Sequence, residues 1–219
     1  MWFWRSTRQF AADLLRNGPA RGLLVALPLL AGCGVVGGGA QPGPVMDQPL
    51  ANVPAEALGR WQRATAQRAD GQTDAARAGF EALTRDYPQY AGPWLNLAII
   101  HQDAGDPEQA RQLLGIAAER CVDCAPVFNE LGVLERQQGN FAAAEAAYLR
   151  AIAANADYAL PWFNLGVLYE LYRQQPAKAA NHYERYLELA VDLDGEQEIR
   201  AWVADLRRRA GVLSQAGES

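Results

Sequence analysis

Three cysteines, two histidines and a few acidic pairs are the side chains of this 219-residue chain that could do covalent or metal chemistry. Cys121-Val122-Asp123-Cys124 is the one close-set motif among them. Two thiols at that spacing can form a structural disulfide, act as a redox pair or supply half of a zinc site. A reactive pair places its first cysteine at a helix N-terminus, where the dipole lowers the thiol pKa. Here Cys121 is expected to end a helix and Asp123 adds negative charge, and both oppose a thiolate. Zinc needs two more ligands. His101 and His182 belong to separate predicted helices, the first as a packing residue and the second as a surface residue, so no metal site is expected. The glycines of residues 34–43 have no strand or Walker-type lysine around them, so they are not a phosphate loop. Asp192 and Asp194 read as ordinary helix-end residues. No catalytic constellation and no cofactor site is expected.

The third cysteine sits in a different setting. Arg5, Arg8, Arg16 and Arg21 form a basic region, Gly22 to Ala31 is an apolar run of ten residues, and small residues follow. These are the parts of a secretory signal. Ten apolar residues are too few to span a bilayer, which takes about 20 in a helix. The run ends Leu30-Ala31-Gly32-Cys33, which resembles the bacterial lipobox. The resemblance implies that residues 1–32 are removed and that Cys33 is lipidated as the first mature residue. Several acyl chains hold a protein on a membrane stably, where one does not. Gly34 in place of an aspartate at the next position implies sorting to the outer membrane, with the chain facing the periplasm. In that oxidising compartment, with Cys33 consumed by lipid, a structural disulfide between Cys121 and Cys124 is expected. It closes so short a loop that it is worth at most roughly 2 kcal/mol.

The charge balance fits a tethered chain. The whole sequence carries 20 basic and 25 acidic residues, and Lys178 is its single lysine. Loss of residues 1–32 takes four arginines and one aspartate, leaving a net charge of −8. Such a chain does not bind nucleic acid and is repelled by anionic lipid, so it meets the membrane only through its anchor. Residues 33–56 are Gly- and Pro-rich and read as a flexible tether, with a reach of roughly 25 Å.

The elements that must position all of this recur at a fixed interval, the one from Trp94 to Phe128 and again from Phe128 to Trp162. Trp94-Leu95-Asn96-Leu97-Ala98, Phe128-Asn129-Glu130-Leu131-Gly132 and Trp162-Phe163-Asn164-Leu165-Gly166 align without gaps. Ala110, Leu114 and Ala117 match Ala144, Tyr148 and Ala151, and then, after a one-residue insertion, Ala179, Tyr183 and Tyr186. Trp94, Leu97, Ala98 and His101 show helical spacing. Gly71-Gln72, Gly105-Asp106 and Gly139-Asn140 mark turns. The small residues Ala98, Gly132 and Gly166 allow close approach of paired helices. The period, roughly 34 residues, and the pattern resemble the tetratricopeptide repeat, a helix-turn-helix unit.

The resemblance implies an all-α, right-handed α-solenoid of about four units, at 57–90, 91–124, 125–158 and 159–193. The first unit has a degenerate first half. The fourth replaces the glycine turn with Arg173 to Ala177, an extra residue and a proline included. A solenoid needs a polar cap, and residues 194–211 are expected to supply one: Asp194 as N-cap with Gln197 as its capping-box partner, an apolar stripe of Ile199, Trp202, Val203 and Leu206, and a charged outer face. Residues 212–219 are expected to fray.

By the same resemblance, the first helix of each unit lines a concave face that holds a peptide or a partner helix. The positions implied are Leu95, Asn96, Ile99 and Asp103; Asn129, Glu130, Val133 and Arg136; and Phe163, Asn164, Val167 and Glu170. Trp61 and Arg68 extend the row at the first unit. Asn96 and Asn164 stand where an amide can both donate to and accept from a ligand backbone. No lysine lies on this face, so capture of an acidic C-terminus is not expected. The expected function is an interaction scaffold in a cell-envelope complex, with another envelope protein or peptide segment as partner. In layout it resembles small repeat lipoproteins that assist pilus secretin assembly, outer-membrane protein insertion or recruitment of cell-wall hydrolases. A thiol-disulfide protein using Cys121 and Cys124, or a self-associating structural lipoprotein, are the alternatives.

Overall fold

Helices begin where a turn ends and pair by burying their apolar residues against one another. The computed structural model describes residues 53–190 and 195–217. Among them the chain is all-helical: α1 (Ala55–Ala69), α2 (Thr73–Asp86), α3 (Ala91–Asp103), α4 (Pro107–Arg120), α5 (Ala125–Gln137), α6 (Phe141–Ala154), α7 (Ala159–Val167), α8 (Pro176–Leu189) and α9 (Glu196–Gly217), with a π-helical turn at Leu168–Tyr172 after α7. Successive helices pack as antiparallel hairpins, α1 with α2, α3 with α4, α5 with α6 and α7 with α8, and α9 lies on α8. The first helices of neighbouring hairpins also touch, α3 with α5 and α5 with α7. This is an α-solenoid. The candidate leader, Cys33, residues 33–52 of the tether, and Asp192 and Asp194 lie outside the described residues.

The three glycine turns share one geometry. Gly71, Gly105 and Gly139 have φ of +75°, +80° and +81°. A glycine adopts this left-handed region without steric cost. The next residue then donates its N–H to the carbonyl five residues back, Gln72 to Gln67 at 2.8 Å, Asp106 to His101 at 2.9 Å and Asn140 to Glu135 at 2.8 Å. These bonds satisfy carbonyls that the helix end leaves open. Asp106 then caps α4, its Oδ1 accepting from Gln109 N–H at 3.2 Å, with Pro107 in the first turn.

The fourth hairpin absorbs its extra residue as the π turn. Arg173 N–H donates to Leu168 O at 3.1 Å and Gln175 N–H to Tyr169 O at 2.8 Å, each one residue wider than the α-helical or glycine-turn equivalent. Gln174, at φ +53°, takes the left-handed position that glycine holds elsewhere. Widening the helix by one residue takes up the insertion and leaves the hairpin paired.

Packing inside each hairpin rests on complementary sizes. An added Cβ at Gly132 would lie 2.5 Å from Tyr148 Cδ1, and one at Gly166 2.6 Å from Tyr183 Cδ1. Tyr148 and Tyr183 are fully buried. In the second hairpin the equivalent pair is Ala98 and Leu114, also fully buried. The larger ring requires the smaller partner.

Two boundaries differ from the sequence expectation. Val53 is buried against Ala57 and Tyr90, and α1 begins at Ala55, so residues 53–56 belong to the helical array and not to the tether. The last helix runs to Gly217 and does not end at Gly211. Ile199, Val203 and Leu206 are buried as its inward stripe.

Candidate partner-binding face

The inner row is built by the first helices, whose equivalent positions recur with the repeat. Its first position is Leu95, Asn129 and Phe163, all buried. Phe163 faces Tyr183 and Tyr186, with ring centroids 5.5 Å and 5.1 Å apart. The next position is Asn96, Glu130 and Asn164. Then come Ile99, Val133 and Val167, and finally Gln102, Arg136 and Glu170. Asp103 is exposed and stands one residue beyond this register, aligned with Gln137 and Leu171. Gln102 is therefore the groove residue of the second hairpin, and its Nε2 donates to Gln137 Oε1 at 3.1 Å across the hairpin junction. Counting by the repeat period alone would have found it.

Several of the implied partner residues are turned inward. Asn96 is 7% exposed and its Nδ2 donates to Gly92 O of its own helix at 2.9 Å. Asn129 is 1% exposed and joins two neighbours: its Oδ1 accepts from Asn164 Nδ2 at 2.9 Å and its Nδ2 donates to Glu130 Oε1 at 3.1 Å. Arg136 is buried, with Nε donating to Tyr148 OH at 3.2 Å. Val167 is buried as well. Trp61 is half-buried against the core, so it supports the row from behind. Asp103 is exposed, and Ile99, Glu130, Val133 and Asn164 are half-buried.

Burial pushes the Glu130 carboxyl above the usual range, while the Asn129 amide and the nearby Arg68 guanidinium oppose the shift. Glu170 closes the far end of the row. It accepts from Trp202 Nε1 at 3.0 Å, Arg209 Nη2 at 3.0 Å and Tyr183 OH at 3.4 Å, so α9 covers it. Trp202 and Arg209 stand 32 and 39 residues downstream, and no local pattern joins them to Glu170.

Two tetratricopeptide repeat family profiles match the sequence, over residues 67–127 and 129–190, together more than half of it. The chain is a tetratricopeptide repeat protein. Its fold is similar to that in the structure titled functional characterization of Pseudomonas aeruginosa pilF, at 21% identity over 74% of this chain and 72% of that one, with a TM-score of 0.62. A thermophilic tetratricopeptide repeat protein of Thermus thermophilus matches at 23% identity, 72% and 84% coverage and a TM-score of 0.60. The MamA protein matches at 22% identity, 70% and 89% coverage and 0.51. No curated protein matches the sequence closely. Repeats of this family mediate binding to other proteins or peptides, and a protein-interaction scaffold is the function the profiles support.

The remaining candidate residues of this tetratricopeptide repeat protein lie off the inner row. Cys121 and Cys124 are paired as a disulfide, with Cα atoms 5.4 Å apart, between the end of α4 and the start of α5. Both histidines are half-buried, so neither is purely a core nor purely a surface residue. His101 is partly exposed, its Nδ1 3.5 Å from Asp106 Oδ2. His182 lies flat against Tyr169 at 5.2 Å between centroids, and burial pushes its pKa down. The π turn carries Tyr169 to this stack, which a regular helix count would miss. Among the described residues no group of three His, Cys, Asp or Glu side chains is placed to hold a metal ion. Among the same residues no helix is long and apolar enough to cross a membrane.

Proposed function

We propose that this chain is a lipid-anchored scaffold that faces the periplasm from the outer membrane and binds an extended segment of another envelope protein along its inner row. The observation that carries the reading is the partly exposed line Ile99, Glu130, Val133 and Asn164 on successive first helices. Apolar Ile99 and Val133 alternate there with polar groups. The Asn164 amide is held in place by Asn129, which leaves its carbonyl oxygen and a second N–H for a ligand backbone. Leu30-Ala31-Gly32-Cys33 behind the apolar run supports the anchor.

The tests separate the two parts. A photo-crosslinking residue at Asn164 or Ile99 in living cells captures one discrete partner, whereas the same residue at Arg150 on a second helix does not. Equal capture from both positions, or capture of only this chain itself, would overturn the partner reading and favour self-association. Cys33→Ala is expected to abolish labelling by radioactive fatty acid and release the chain from membranes, and retained labelling rejects the anchor.

A further inference from the structure

The three loops that join one hairpin to the next are equal in length and equivalent in position, yet only two of them are pinned by an indole from the following helix. Trp94 Nε1 donates to Pro88 O at 3.1 Å, and Trp162 Nε1 donates to Ala156 O at 3.0 Å. The middle loop has Phe128 at the indole position, and a phenyl ring has no N–H to offer the Val122 carbonyl. That loop is the one closed by the Cys121–Cys124 disulfide.

The two sulfurs are not equivalent. Cys121 follows the last turn of α4 and is half-exposed. Cys124 is 7% exposed and occupies the N-cap of α5. A sulfur at a helix N-terminus is stabilised as thiolate, and a more stable thiolate leaves faster in exchange. An incoming thiolate therefore meets the accessible Cys121 and displaces the favoured leaving group at Cys124.

We infer that the 121–124 disulfide is a reducible joint in the solenoid, standing in for the missing indole clamp. A dithiol reductant bonds through one thiolate to Cys121 Sγ, the Sγ–Sγ bond breaks and its electron pair leaves on Cys124. The second thiol of the reductant then displaces Cys121. The reductant departs as a disulfide, and the two cysteines have gained two electrons and two protons. The Arg111–Glu135 ion pair and the Gln102–Gln137 hydrogen bond still cross the junction, and the shared core from Phe80 to Leu134 keeps the hairpins together. The opening is thus local, confined to residues 118–128. The other two junctions stay clamped by Trp94 and Trp162.

Amide hydrogen exchange on the purified full-length chain tests this, with dithiothreitol as the dithiol. Reduction is expected to speed exchange at 118–128 about tenfold and leave 87–94 and 155–162 unchanged. Phe128→Trp in the reduced chain is expected to slow it again, and Cys121→Ser with Cys124→Ser to show fast exchange without reductant. Brief glutathione treatment followed by alkylation should place glutathione on Cys121 and the alkyl group on Cys124. Unchanged exchange at 118–128, equal acceleration at all three loops, or glutathione on Cys124 each overturns the joint as described.

Discussion

The third and fourth hairpins solve the same packing problem with the same residue pair and then part company at the turn. In both, a glycine of the first helix lies under a buried tyrosine of the second, Gly132 under Tyr148 and Gly166 under Tyr183. The third hairpin turns through Gly139 at φ +81°, whereas the fourth turns through a π segment and Gln174 at φ +53°. Close approach of paired helices tolerates no extra atom, because a rigid ring fills the space above the glycine. The turn tolerates a whole extra residue, because it faces water and the helix can widen. The inner row differs in consequence. Arg136 of the third hairpin is tied to Tyr148, while Glu170 of the fourth is carried on the π turn to Trp202 and Arg209 of α9.

The sharpest way to break the comparison is Gly132→Leu, expected to cost about 3 kcal/mol or more by overpacking against Tyr148. Urea denaturation reads it directly. The milder Gly132→Ala should be partly rescued by Tyr148→Leu, which recreates the Ala98–Leu114 pair of the second hairpin, and a lack of rescue would show that size complementarity is not what couples the two positions. Next in size is Trp202→Ala, expected to cost about 2–3 kcal/mol, since it empties half-buried space and takes a donor from Glu170. Its loss should raise hydrogen exchange in α8 and α9 before α5 or α6.

At the turn, Gln174→Gly should stabilise the chain by about 0.5–1 kcal/mol, because it relieves a left-handed side chain at the expense of some unfolded-state entropy. The opposite change, Gly139→Ala, should destabilise it, and thermal melts compare the two. The smallest effect contrasts Glu130 with its counterpart Asn164. Burial holds the folded Glu130 carboxyl above its unfolded value, so its contribution is fully present below the unfolded pKa of about 4.3 and is lost as pH rises through the folded pKa. Glu130→Gln should therefore flatten the decline of the urea midpoint between pH 4 and 8. An unchanged slope would place the responsible group elsewhere.

Much of the fold was legible because its signals are local. The spacing of Trp94, Phe128 and Trp162 and the Gly-Gln, Gly-Asp and Gly-Asn turns each report on a few adjacent residues, and the hairpins follow. The row of partner positions was legible only as a register. Asn129 and Asn164 share a hydrogen bond, Asn96 bonds its own helix, and Asp103 stands one step off the row. Those outcomes depend on side-chain direction within a turn, which a repeat alignment does not encode. His182 shows the same limit: its ring stacks on Tyr169, which lies in the π turn.

The amino-acid order by itself determined the helices, their pairing and the places where they must come close, since periodicity, glycine turns and small residues act within one hairpin. Which inner-row groups remain open to a ligand was decided only by tertiary structure. Glu170 is covered by Trp202 of a distant helix, and Asn129 is sealed by its neighbour in the next hairpin. The reason is physical: burial and hydrogen-bond satisfaction belong to facing surfaces, and a surface faces another only once the repeats have stacked.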